Sequence, residues 1–258
     1  MSFLNQVVLV TGAGSGLGEA IALHFAKLSA RLSLVDVDSK SLNKSADNCE
    51  KVSKAKVFRI TADLTKLEDV QNVVEITKKQ YGKIDVVVNC AGICRSGGIL
   101  DSGLMDSYDA IVSINLRAIV AMTSTVAPIL AESKGNIVNI SSVLGNIHAG
   151  NTLMYNTVKA GLSYFTKSAA LELAPEGVRV NAVLPGSTRT NLLKNFGRSQ
   201  AESDAFFKYC EKITPLKRIV TPEEVASTVA FLASEKAAGI TGVNYVMDAG
   251  LSLRAEKP

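Results

Sequence analysis

Tyr155 and Lys159 stand four residues apart within Thr152 to Leu173, a stretch whose apolar residues recur at helical spacing, so the two side chains share one helical face. That placement suits proton transfer. A phenol has a pKa of about 10 and is a poor acid or base at neutral pH, whereas an adjacent ammonium or a bound cation stabilises the phenolate and lowers that value. Tyr155 can then give a proton to a carbonyl oxygen or take one from an alcohol. Ser142, thirteen residues before Tyr155 and just past a strand signal from Asn136 to Ile140, is placed to hydrogen-bond the same oxygen. Alone, Tyr-x-x-x-Lys is a common surface pair worth a few tenths of a kcal/mol, and its company decides. Asn115 lies near the middle of a long apolar helix signal from Met105 to Glu132. An amide there is either a satisfied core group or the holder of a local distortion and a bound water.

These side chains need a scaffold that presents a reaction partner, and the chain opens on one. Val7 to Phe25, VVLVTGAGSGLGEAIALHF, is a strand, a glycine-rich turn and a helix. Glycines let backbone approach a diphosphate, and the free amides of the helix end favour its charge. The implied ligand is a dinucleotide. The spacing is Thr11-Gly12-x-x-x-Gly16-x-Gly18 rather than G-x-G-x-x-G, so an ordinary βα turn remains the plain alternative. A second strand, Arg31 to Val35, ends at Asp36, 18 residues after Gly18. A carboxylate there can accept both hydrogen bonds of an adenine ribose and repel a 2′-phosphate, favouring NAD over NADP. Alternatively Asp36 starts a turn with Asp38 and caps the next helix, for which Ser39 is also a candidate.

A polar helix over Lys40 to Lys54 and a strand over Lys56 to Thr61 lead to Asp63, which either meets the adenine amino group or caps a helix over Leu67 to Gln80. The apolar run Ile84 to Val88 reads as a central strand and breaks into Asn89-Cys90-Ala91-Gly92, small residues that admit a ligand at the sheet's carboxyl edge. Strands and helices alternate with short connections. This pattern gives one doubly wound α/β domain, Rossmann-like, with about seven parallel strands.

The 258 residues are 47% hydrophobic and 20% charged, ample for one core. The excess of four positive charges is scattered, so neither nucleic acid nor an anionic membrane is an expected partner. No apolar run reads as long enough to span a bilayer, and a strand so near the N-terminus leaves no room for a signal peptide. Cys49, Cys90, Cys94 and Cys210 have neither metal-ligand nor disulfide spacing, which suits reduced thiols in the cytoplasm and no metal. Two Asn-x-Ser triplets, at Asn43 and Asn139, read as chance matches. A serine hydrolase lacks its parts, because the only histidines are His24, read as structural, and His148, read as a solvent-facing loop residue with a pocket-lining one as the alternative, and there is no G-x-S-x-G.

Together the motifs Thr11-Gly12-x-x-x-Gly16-x-Gly18, Asn89-x-Ala91-Gly92, Asn115, Ser142, Tyr155-x-x-x-Lys159, Pro185-Gly186 and Gly242-x-x-x-x-x-Asp248 resemble the classical short-chain dehydrogenases/reductases along essentially the whole chain. The resemblance implies that Tyr155 is the general acid/base, that Ser142 orients and polarises the substrate oxygen, that Lys159 tunes Tyr155 and holds the nicotinamide ribose, and that Asn115 positions a relay water. It implies cofactor contacts at Gly12, Ser15, Gly16, Leu17, Gly18, Asp36, Asp63, Leu64, Asn89, Ala91, Gly92, Tyr155, Lys159, Pro185, Gly186, Thr188 and Thr190, the last two near the carboxamide. The cofactor would be NAD, with NADP possible. Two departures stand out: Cys90 replaces a second asparagine, weakening the Asn89 assignment, and Asp248-Ala249-Gly250 replaces Asp-Gly-Gly.

The segment Asn191 to Lys212 falls where the family places a substrate lid, and Leu192, Leu193, Phe196, Phe206, Phe207 and Tyr209 suggest a small-molecule substrate with an apolar body; a helix pair burying its own face is the alternative. The expected activity is reversible hydride transfer between a secondary alcohol and a ketone, in a homo-oligomer, a dimer or tetramer. A 3-oxoacyl reductase of fatty-acid synthesis is the near alternative, against which Asp36 argues because those enzymes usually favour NADP. A non-catalytic dinucleotide-sensing protein is the distant one.

Overall fold

The computed structural model describes residues 2–148, 151–192 and 199–253. Runs of Val, Ile and Leu form its strands because branched side chains pack well on a pleated surface buried on both faces. The elements run β1 (Val7–Thr11), α1 (Gly16–Lys27), β2 (Arg31–Asp36), α2 (Ser39–Ser53), β3 (Phe58–Thr61), α3 (Leu67–Tyr81) and β4 (Val86–Asn89). They continue as α4 (Leu104–Val112), α5 (Ala118–Ser133), β5 (Asn136–Ile140), α6 (Leu153–Leu173), β6 (Arg179–Pro185), α7 (Gln200–Ile213), α8 (Pro222–Ala233) and β7 (Asn244–Met247). The seven strands are all parallel, in the order β3-β2-β1-β4-β5-β6-β7. This is the single doubly wound domain that the alternation predicts, although β3 and β4 each start two residues later than expected.

Successive strand residues point to opposite faces, and the core divides accordingly. Val8 and Val10 face a layer with Ile21 and Phe25 of α1 and Val225 and Val229 of α8. Leu9 faces the other layer, with Val73 of α3 and Met122 and Val126 of α5. Chain order reverses between β1 and β4, so their carboxyl ends splay their connections apart and open a crevice there.

The run expected as one helix from Met105 to Glu132 is α4 and α5 joined by a π-helical turn, Ser113–Arg117, with Asn115 buried inside it. The continuous helical stretch Leu104–Ser133 also corrects the expectation about membrane spans: by length and composition its 30 residues could cross a bilayer. Its apolar content has another use in this fold, since Ile111, Ala118, Met122, Val126 and Leu130 are all buried within the protein.

After β7, the Asp248 carboxylate accepts from Gly250 N at 2.8 Å and Ser252 N at 2.7 Å, folding a turn that holds Ala249 at φ 56°. L residues avoid that left-handed conformation because Cβ crowds the following carbonyl. Ala249→Gly is therefore expected to stabilise the protein by about 0.5–1 kcal/mol, read as a higher thermal unfolding midpoint. An unchanged or lower midpoint would mean that the turn holds no strain.

Candidate active site

The crevice at the carboxyl edge of β1, β4, β5 and β6 is a cleft of about 1610 Å³. Its floor begins at the glycine turn. Gly12 has φ +65°, and a Cβ there would stand 2.7 Å from Ala91 Cα, so any side chain would push apart the ends of β1 and β4. Thr11 joins the same two ends: its hydroxyl accepts from Cys90 N at 3.0 Å and Ala91 N at 3.2 Å. Ser15 starts α1 without a side-chain cap bond, leaving the helix end to an outside acceptor. Bare backbone at the turn and an uncapped, positive helix end fit a diphosphate.

Asp36 closes the far side of this floor. Its Oδ2 accepts from Gly14 N at 2.8 Å and its Oδ1 from Asp38 N at 3.0 Å, while Asp38 caps α2 by accepting from Lys40 N and Ser41 N. The cap alternative thus belongs to Asp38, and Asp36 faces the cleft. Asp63 is not a cap either: its Oδ1 accepts from Thr65 N at 3.1 Å and from the Thr65 hydroxyl, and α3 is led in by Lys66 without a side-chain cap bond. Gly16, Leu17, Gly18, Leu64, Gly92, Pro185, Gly186, Thr188 and Thr190 also line the cleft.

Asn89 does not. Its amide donates to Asn139 Oδ1 at 2.9 Å, and Asn139 donates in turn to Thr166 Oγ1 at 3.0 Å, so this buried chain ties β4 through β5 to α6. Its side chain thus braces the sheet beside the cleft floor.

The chemical group sits further along the same cleft. β5 carries Ser142 to the edge, where its hydroxyl accepts from Leu144 N at 3.2 Å and faces the Tyr155 phenol. α6 presents Tyr155 and, one turn on, Lys159, whose Nζ donates to the Ile140 carbonyl at 2.8 Å and lies 5.6 Å from the Tyr155 ring centroid. Ser141 Oγ fixes this turn of α6 by donating to Lys159 O at 2.9 Å. Asn115 Nδ2 donates to Ile93 O at 2.7 Å and Oδ1 accepts from Ile93 N at 2.8 Å, so the amide is both satisfied and seated at a distortion, joining the two alternatives.

The electrostatics differ from the expectation. Burial pushes the Tyr155 phenol above its usual value, with Cys94 beside it adding to the rise and the Ser142 hydroxyl opposing it. Burial also pulls Lys159 down to about 8. Between pH 8 and the ordinary lysine value near 10.5 the unfolded chain binds more protons at this residue than the folded one, so the buried lysine costs stability fully below pH 8 and progressively less up to about 10.5. Lys159→Met is expected to raise stability at pH 7 by about 1–3 kcal/mol, a gain that fades as pH approaches 10. Denaturant unfolding at pH 7 and pH 10 checks this; equal gains at both would place the effect elsewhere.

The substrate end is apolar. Leu192 and, from α7, Phe206, Phe207 and Tyr209 line the cleft, while Phe207 and Cys210 also pack on Ile219, so α7 is wall and packed helix together. Leu193 and Phe196 lie outside the described residues. His148 is exposed at the mouth, and His24 is half-buried in α1. Cleft residues that sequence reading missed include Ile93, Cys94, Leu144, Ile147, Ile213 and Leu251. The signal for the first four is position alone, a few residues past the ends of β4 and β5.

A family model described as Enoyl-(Acyl carrier protein) reductase matches residues 12–252. The oxidoreductase UcpA of Escherichia coli O157:H7 is 37% identical over 96% of this chain and 95% of its own. Among solved structures, a short-chain dehydrogenase/reductase of unknown function from Caenorhabditis elegans, with cofactor, superposes with a TM-score of 0.92 at 33% identity, covering 98% of this chain and 97% of that one. A 3-ketoacyl-(acyl-carrier-protein) reductase from Brucella melitensis, complexed with NADH, gives 0.88 at 33% identity, covering 97% and 100%. Such matches along nearly the whole length, on a cleft built for a dinucleotide, establish that the chain belongs to the short-chain dehydrogenase/reductase family of oxidoreductases.

Proposed function

We propose that this protein interconverts a secondary alcohol and a ketone with an apolar body, using NAD in preference to NADP and Tyr155 as the general acid/base. The observation that carries this reading is that Ser142, Tyr155 and Lys159 line the same cleft as the glycine turn and Asp36. Gly12, Ser15, Gly16, Leu17 and Gly18 would hold the diphosphate, Asp36 the adenine ribose, and Thr188 and Thr190 the nicotinamide end. When bound, the nicotinamide supplies hydride to the carbonyl carbon or accepts it from the alcohol.

The rest is work for this chain's own side chains. Ser142 and Tyr155 hydrogen-bond the substrate oxygen, and Tyr155 gives it a proton in reduction and takes one in oxidation. The Lys159 ammonium stabilises the phenolate left behind, more strongly for being out of water. Asn115 pins the π-helical turn, whose widened backbone is where a relay water to Lys159 would sit. The walls from Leu192 and α7 exclude water and receive the apolar body. Ser142→Ala is expected to lower kcat by about 10–100-fold with dinucleotide binding kept, since one of two hydrogen bonds to the developing oxyanion is lost. Steady-state kinetics beside an NADH titration checks it, and wild-type kcat would remove Ser142 from the mechanism.

A 3-oxoacyl reductase activity is the second reading, favoured by the likeness to the Brucella melitensis enzyme. Comparing 3-oxoacyl thioesters with simple cyclic and acyclic ketones separates the two. Exposed Met105, Tyr108 and Val120 on α4 and α5, with Tyr164 and Leu171 on α6, support a homo-oligomer, read by sedimentation. Four free cysteines, three of them buried, suit a reducing compartment such as the cytoplasm.

A further inference from the structure

Residues 187–190 leave the carboxyl end of β6 and run along the cleft. Thr188 and Thr190 line it, and Thr190 Cβ lies 3.3 Å from where a Cβ on Gly16 would stand, over the glycine turn. Between them, Arg189 reaches α7 instead. Its Nη1 donates to Asp204 Oδ1 at 3.2 Å, its Nη2 to Glu211 Oε1 at 3.1 Å, and its central carbon sits 4.9 Å from the Phe207 ring centroid. Positions 204, 207 and 211 are three and four apart and form one stripe of the helix, so a single planar fork clasps the stripe. A second tie lies beside it, where the Ser187 hydroxyl donates to Cys210 Sγ at 3.2 Å. The clasped residue matters because Phe207, only 5% exposed, is part of the apolar wall.

We propose that Arg189 is a positioning residue that couples dinucleotide binding to the placement of α7, so that cofactor held by Thr188 and Thr190 sets the wall against which substrate is received. The inference rests on the cofactor placement given above. The clasp is suited to being set by a ligand rather than made permanent. Its side chain and those of Asp204 and Glu211 are 48%, 54% and 35% exposed, and ion pairs so placed are individually weak and screened by salt. Lysine could not substitute, because a point charge cannot meet two carboxylates and a ring face in one plane.

The test is hydrogen–deuterium exchange of the α7 amides, 200–213, in the full chain with and without saturating NADH, at low and high salt. Wild type is expected to show exchange slowed roughly tenfold by NADH, within the range usual for coupled sites, and less slowing at high salt. Arg189→Met should bind NADH by fluorescence titration yet lose that slowing. Asp204→Asn with Glu211→Gln should do the same from the helix side and serves if Arg189→Met fails to fold. A merely structural Arg189 would speed exchange equally with and without NADH and leave their ratio at the wild-type value, which overturns the proposal. Wild-type α7 indifferent to bound NADH overturns it too. Failure of wild type to bind NADH overturns the cofactor placement together with this inference, and so is distinguishable from failure of the coupling alone.

Discussion

Tyr155→Phe is expected to lower kcat by about 10²–10⁴-fold while the protein still binds NADH, because the change deletes only the atom that moves the proton. The ring itself has packing to keep: Tyr155 belongs to a small cluster with Cys94, Ile111 and Val158. The hydroxyl is also the costliest part of the residue to bury, being its one polar group. Removing it leaves Ser142 still bonded to Leu144 N, so the fold should survive the change. The raised phenol has a directional consequence. Reduction, which needs the protonated form, should persist to high pH, whereas oxidation should speed up with pH as the phenolate becomes accessible. Wild-type kcat in Tyr155→Phe, or a rate that ignores pH in both directions, would assign the proton transfer to another group.

The second large effect concerns cofactor choice. Asp36→Asn is expected to reduce the preference for NAD over NADP, as the ratio of kcat/KM values, by about 10–100-fold, since charge-assisted hydrogen bonds are worth roughly 1.5–3 kcal/mol and the repulsion of a 2′-phosphate disappears with the charge. Asparagine is the more informative variant than alanine. Asp36 also accepts from Gly14 N and Asp38 N, and the remaining amide oxygen keeps one of those acceptors, limiting the loss of stability in the turn. Kinetics with both cofactors and one substrate give the ratio directly. An unchanged ratio would place the selectivity at Val37 or the Asp63 to Thr65 turn, which line the same side of the cleft.

The fold was largely legible because its signals are local: runs of branched residues alternate with helical periods, and every connection is short enough to leave one topology class. The candidate catalytic set was legible through spacing, as four residues on a helix fix Tyr155 and Lys159 on one side whatever the helix packs against. The π-helical turn was less so. Nothing in Ser113 to Arg117 differs from ordinary helix sequence except a buried amide, and the partner that shapes it, the Ile93 backbone, is 22 residues away. The side-chain partner of Asn89 is equally hidden, since Asn139 comes from a neighbouring strand that only the sheet order brings alongside. The raised Tyr155 phenol is hidden in the sequence, because its first cause is burial, which the packing around the helix sets and the neighbouring residues in the chain do not.

The central claim is that this cleft transfers hydride rather than only sensing a dinucleotide. The most direct measurement is reduction of a panel of sterol, isoprenoid, sugar and 3-oxoacyl ketones by NADH deuterated at the nicotinamide C4, with the label followed into product by mass spectrometry, for wild type and Tyr155→Phe side by side. Deuterium appearing on the carbinol carbon of at least one alcohol product, with stoichiometric loss of NADH and near-absence of both in the variant, is the predicted result. NADH bound by both proteins with no label transferred to any member of the panel would contradict it and leave a dinucleotide-sensing protein.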